Sequence, residues 1–117
     1  MDNSPIDIKI AIRLFFGGGK CFGPGPAQLL KAIDHTGSLR AAAAEMGMSY
    51  SKAWTLLRSC EKTLEFPLLE REVGGTNGGF SHLTAKGRDL LEKYNALENQ
   101  LCAYGSSLVK ELFAEYI

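Results

Sequence analysis

The chain has 117 residues, of which 45% are hydrophobic, and its 13 Lys+Arg balance 13 Asp+Glu for a formal net charge of zero. That length fits one domain whose core needs no disulfide or metal to hold it. The balance excludes a globally basic nucleic-acid binder, so the placement of charge matters more than its sum.

Residues 1–5 read as a short polar tail ending in Pro5. From Ile6 to Phe16 the chain alternates, with Ile6, Ile8, Ile10, Ile12, Leu14 and Phe16 on one face and Asp7, Lys9 and Arg13 on the other. The alternation predicts a half-buried strand over 6–16. A lone strand is unstable, so it should pair with strands further along. Gly17-Gly18-Gly19-Lys20 lacks phosphate-loop spacing, because Leu14 and Cys21 stand where that motif needs Gly and Ser or Thr. It reads as a turn. Pro26 suits the first residue of a helix. Leu29, Leu30 and Ile33 then form an apolar stripe that Gly37 ends.

The stretch from Gly37 to Trp54 organises the chain. Ser38 is a good N-cap, and Ala41 to Ala44 form helix with almost no bulk. Gly47 supplies a turn and Ser49 a second cap, followed by Ala53, Trp54, Leu57, Cys60 and Leu64 on one helical face. A small-residue helix, a glycine turn and an amphipathic helix predict a helix-turn-helix inside a three-helix core over 26–64. The second helix of such a pair enters the DNA major groove. A plain helical hairpin is the alternative for this stretch taken alone.

Glu65-Phe66-Pro67 stops that helix. Leu68 to Val73 and Phe80 to Leu83 flank a loop, Gly74 to Gly79, that contains Asn-Gly, so a hairpin wing is expected over 68–83. The N-terminal strand is expected at the edge of that hairpin. Thr84 caps a final helix over 85–116. Leu90, Tyr94, Leu97, Leu101, Tyr104 and Leu108 follow a four-three spacing, a coiled-coil seam that predicts a homodimer. Gly105 interrupts the seam and makes a bend or break possible there. The fold class expected is a mainly helical α+β winged helix-turn-helix, with an extra N-terminal strand and a C-terminal dimerisation helix.

Cys21, Cys60 and Cys102 are odd in number and far apart, with neither C-x-x-C nor His/Cys clustering. They point to a reduced cytoplasmic protein without a zinc site. No apolar run approaches a membrane span and no basic-then-apolar leader pattern is present. His35 and His82 lack ligand-spaced partners. No carboxylate pair, Ser/His/Asp set or metal cluster stands out, so neither an enzyme nor a cofactor is expected. Between Tyr50 and Cys60 the only charges are Lys52 and Arg58, which makes the second motif helix locally positive.

Ser49-Tyr50-Ser51-Lys52-Ala53-Trp54, the loop Gly74 to Gly79, and Leu83-Thr84 followed by Gly87 and Leu90-Leu91 resemble the N-terminal DNA-binding domain of the molybdate-responsive (ModE-type) regulators. More distantly, Ala41-Ala42 to Glu61 with Leu83-Thr84-x-x-Gly87 is similar to the winged helix of LysR-type regulators. The resemblance spans Phe22 to Leu101 and implies a winged-helix dimer on operator DNA. Full-length ModE-type members carry a C-terminal oxyanion-binding domain for which these residues leave no room, so no molybdate site is expected in this chain.

Placed in the major groove, the second motif helix should reach bases with Tyr50, Ser51, Lys52 and Thr55. Arg40, Arg58, Arg71, Thr84, Lys86 and Arg88 are expected at phosphates, the last three at a helix N-terminus. Trp54 and Leu57 should point to the core. The rival reading is a winged helix that binds protein with little or no DNA affinity.

Overall fold

The structure, a computed structural model, describes residues 5–72 and 80–117. In chain order it has β1 (Leu14–Phe16), β2 (Gly19–Phe22), α1 (Pro24–Thr36), α2 (Leu39–Glu45), α3 (Tyr50–Leu64), β3 (Leu69–Glu72), β4 (Phe80–Leu83) and α4 (Ala85–Leu112), with a closing 3-10 turn at Ala114–Tyr116.

Each helix begins where a side chain or a proline relieves the free N–H groups. Pro24 and Pro26 sit in the first turn of α1, where a missing N–H costs nothing, so this helix starts two residues before the predicted Pro26. Ser38 Oγ accepts from the Ala41 amide and Ser49 Oγ from the Lys52 amide, both at 3.1 Å. Gly37 (φ 74) ends α1 in the left-handed region and donates its N–H to the Ile33 carbonyl at 2.7 Å. Ala42, Ala43 and Ala53 are buried where α2 meets its neighbours, so the small side chains set the close approach of the motif helices. Phe22, Leu29, Leu30, Ile33, Leu39, Leu57 and Leu68 fill the centre.

The N-terminal segment departs from expectation. Strand pairing starts at Leu14 rather than Ile6, and β1 pairs with β2 rather than with the wing. Gly17 (φ 60) and Gly18 (φ 85) turn the chain back on itself, so the nearest strand becomes the partner. Residues 6–13 stay extended without a ladder, and Ile6, Ile8, Ile10 and Ile12 are half-buried. The segment lies along α4: Tyr94 Oη donates to the Ile12 carbonyl at 2.8 Å, and Ile8 packs onto Gly105. The helix runs through Gly105 without a break and ends at Leu112, short of 116.

Tyr94 also leaves the predicted seam. It is 2% exposed and meets Phe22 edge-on, with centroids 5.2 Å apart. It is a core residue, recruited because β2 places Phe22 beside α4. Leu90 packs partly against the same core, while Leu97, Leu101 and Tyr104 stay 38%, 39% and 65% exposed.

The wing strands pair antiparallel, with Leu69 opposite Leu83, Glu70 opposite His82 and Arg71 opposite Ser81. The predicted loop Gly74 to Gly79 and Val73 lie outside the described residues. The Ser81 amide donates to the Gly37 carbonyl at 2.9 Å, which ties β4 to the end of α1. Glu65 (φ 65) ends α3, and the Glu61 carboxylate accepts from the Leu68 amide at 2.7 Å where the chain turns into β3.

Candidate nucleic-acid interface

The capped start of α3 projects Ser51, Lys52 and Thr55 into solvent, and their side chains bond to no described residue. No acidic residue stands in the first turn of this helix. These three predicted base-reading residues share one open face.

Tyr50 is placed differently. Its ring is half-buried, with the Arg40 guanidinium 4.6 Å and the Arg71 guanidinium 6.0 Å from its centroid. Its hydroxyl accepts a hydrogen bond from Arg71 Nη2. Leu57 is in the core, and Trp54 packs against it half-buried, with the rest of the indole open. Arg71 stacks 4.7 Å and Arg58 5.2 Å from the indole. Arg40, Tyr50, Arg71, Trp54 and Arg58 therefore alternate cation and ring across α2, α3 and β3. A guanidinium held on an aromatic face keeps its charge and loses conformational freedom. The i, i+4 spacing of Tyr50, Trp54 and Arg58 was legible in the sequence. The arrival of Arg71 from the wing was not.

Besides Arg71, two predicted phosphate ligands are already engaged. The Thr84 hydroxyl donates to the Pro67 carbonyl at 2.7 Å and accepts from the Gly87 amide at 2.9 Å, and the residue is buried. It is a cap and a brace, and its one O–H is spent, so its hydroxyl has no donor left for a phosphate. Arg88 forms a two-pronged pair with Asp34, at 2.7 and 3.1 Å. That hydrogen bond is the main reason the Asp34 carboxyl lies below its ordinary range. Lys86 sits over the Phe66 ring at 5.3 Å and remains exposed.

Cys21 and Cys60 face each other as buried free thiols, each donating to the other's carbonyl oxygen. Burial above all pushes the Cys60 thiol up to about 12, so it stays protonated and inert. His82 Nε2 meets Glu70 Oε2 at 2.8 Å across the wing, and His35 lies 3.8 Å from Glu45. Among the described residues there is no group of three or more His, Cys, Asp or Glu that could hold a metal ion. No described helix is long and apolar enough to cross a membrane.

A helix-turn-helix with a two-stranded wing and an open, locally positive second helix defines a winged-helix DNA-binding domain. Residues 27–88 match the family model for bacterial regulatory helix-turn-helix proteins of the lysR family, and the chain belongs to that family. It is 43% identical over 93 residues to the transcriptional regulator ModE of Haemophilus influenzae, covering 80% of this chain and 34% of that protein. It is 37% identical over 94 residues to the molybdenum-pterin-binding protein MopB of Rhodobacter capsulatus, covering 80% of this chain and 35% of that one. The chain thus spans about a third of the length of these relatives. Among solved structures, the fold is shared with the protein of the CbnR_DBD–DNA complex (TM-score 0.58, 23% identity, 74% of this chain and 94% of that one). It is also shared with ArgP from Mycobacterium tuberculosis (TM-score 0.52, 24% identity, 76% of this chain and 30% of that one).

Proposed function

We propose that this DNA-binding regulator recognises one operator sequence in double-stranded DNA as a homodimer, in the cytoplasm and without catalysis. The observation that carries the reading is the open face of α3, where Lys52, Ser51 and Thr55 have no described partner and lie beside arginines already seated on rings. In a major groove, Lys52 donates to guanine O6 or N7, and Thr55 offers its hydroxyl or its methyl to thymine. Arg40, Arg58, Arg71 and Lys86 meet phosphates and fix the register. The exposed stripe Leu97, Leu101 and Tyr104 is the surface on which two copies of α4 pair. A two-fold dimer sets two α3 helices one helical turn apart, so the operator is an inverted repeat. The molybdenum in MopB's name is not carried to these residues, which correspond to about a third of that protein.

Selection of bound duplexes from random DNA tests the function and reads the site together. The expected product is an inverted repeat with half-sites one turn apart. Failure to enrich any sequence above non-specific binding replaces this reading with a winged helix that binds protein.

A further inference from the structure

We propose that Tyr50 is a positioning residue rather than a base reader: with Arg71 it forms a strut that holds the wing against α3 at a fixed angle. The inference rests on the DNA-reading function above. It starts from the way the wing is attached. A two-stranded hairpin is marginal by itself, so its orientation is set by its tethers. At its base the wing is held through the Thr84 amide to the Leu68 carbonyl (3.0 Å) and through the Ser81 amide to the Gly37 carbonyl (2.9 Å). Both of these lie on the α1 and α4 side, and at the hairpin's root the Glu61 carboxylate of α3 accepts from the Leu68 amide (2.7 Å) and the Leu69 amide (3.4 Å). Farther out along β3, the side-chain bond to α3 comes from Arg71, whose guanidinium donates to Tyr50 Oη and stacks 4.7 Å from the Trp54 centroid.

The chemistry suits a strut. The guanidinium is planar, permanently charged and able to donate in its plane while stacking on its face. The tyrosine ring is clamped from its other contact by Arg40 at 4.6 Å, so its hydroxyl presents a fixed acceptor. Helix and wing are thereby held in one geometry before DNA arrives, which lowers the ordering cost of binding.

Trp54 is the single tryptophan, and it shares Arg71 with Tyr50, so its fluorescence reads the strut in the free protein. Tyr50→Phe keeps the ring and removes the acceptor; Arg71→Lys keeps the charge and removes the planar stack. Acrylamide quenching of Trp54 should rise in both variants. Affinity for the duplex selected by the wild type should fall about three- to tenfold in each, the size expected for one lost hydrogen bond. The double variant should fall no further than the weaker single one, and base preference should be unchanged at every position. Unchanged quenching in Tyr50→Phe overturns the strut. So does a double variant whose loss is the product of the two single losses. Relaxed preference at one base pair in Tyr50→Phe makes Tyr50 a base reader and also overturns it. A wild type that binds no duplex specifically defeats the DNA-reading function itself, and that result is visible before any variant is made.

Discussion

Gly87 lies so close to Leu68 that a Cβ on it would come within 2.5 Å of the Leu68 carbonyl oxygen and 3.2 Å of its Cα. That same carbonyl accepts from the Thr84 amide at 3.0 Å, and the Thr84 hydroxyl joins Pro67 to Gly87. The first turn of α4, its N-cap and the two residues before β3 therefore meet in one knot. A glycine inside a helix normally costs about 1 kcal/mol relative to alanine, so its presence here has a packing reason.

Replacing Gly87 with Ala should destabilise the protein despite the gain in helix propensity. Overpacking costs about 1–3 kcal/mol, and against a backbone carbonyl that cannot swing aside about 2–3; the propensity returns about 1, for a net loss of roughly 1–2 kcal/mol. Gly105 is the control. A Cβ there would meet Ile8 Cδ1 at 2.7 Å, but that atom ends a side chain that can rotate. Gly105→Ala should fall within about 1 kcal/mol of wild type. Urea unfolding of the two variants checks the contrast, and a Gly87→Ala protein as stable as wild type contradicts the knot.

The pairing of Asp34 with Arg88 sets a pH dependence. The Arg88 hydrogen bond holds the Asp34 carboxyl below its ordinary range. A depressed carboxyl contributes stability above its unfolded pKa, about 3.9, and loses it as pH falls through the folded value. The stability difference between wild type and Arg88→Ala should thus shrink as pH drops below about 4. Both side chains are partly exposed, so salt should weaken the effect. A titration of the Asp34 carboxyl by NMR should show a low midpoint in wild type and a return toward the ordinary range in Arg88→Ala.

The helix-turn-helix was legible in the sequence because its determinants are local. Ser38, Gly47, Ser49 and Thr84 cap or end helices through residues within four positions of themselves, and the structure puts each cap in its expected place. The larger misreadings involve partners distant in the chain, except the pairing of β1 with β2, which the local turn at Gly17 and Gly18 sets. The alternation from Ile6 to Phe16 is real, but alternation says nothing about what covers the apolar face, and α4 covers its first half. Tyr94 fits the seam spacing equally well whether it faces Phe22 or a second subunit. Arg71 reaches Trp54 from 17 positions away, and Arg88 reaches Asp34 from 54. No local spacing encodes either pair.

Leu97, Leu101 and Tyr104 are the exposed part of the seam once Tyr94 is assigned to the core. Leu97→Glu with Leu101→Glu should convert a dimer to a monomer in sedimentation, because the charges would face each other across an apolar contact. The wild type should be dimeric at tens of micromolar, where an interface worth about 8 kcal/mol is well populated. A wild type that sediments as a monomer there removes α4 as the dimer surface.

The division of labour on DNA gives the sharpest prediction. Lys52 and Thr55 stand on the first turns of α3, the part that sits deepest in a groove, and no described residue holds their side chains. Lys52→Ala should cost about 1–3 kcal/mol at the selected duplex and relax preference at one base pair. Arg58 lies further along, seated on Trp54 with its charge outward. Arg58→Ala should weaken every duplex alike and lower the salt slope by about one. Arg88 separates the two ways of reading a cation near DNA. If it met a phosphate freely, Arg88→Ala would match Arg58→Ala. Its charge is instead matched by Asp34 through two bonds. Arg88→Ala should therefore change the salt slope by less than Arg58→Ala, and Asp34→Ala, which frees the guanidinium, should steepen it. Affinities for selected and scrambled duplexes across a salt series measure all four variants. A loss in Arg88→Ala equal to that in Arg58→Ala would show that DNA displaces Asp34 from its partner.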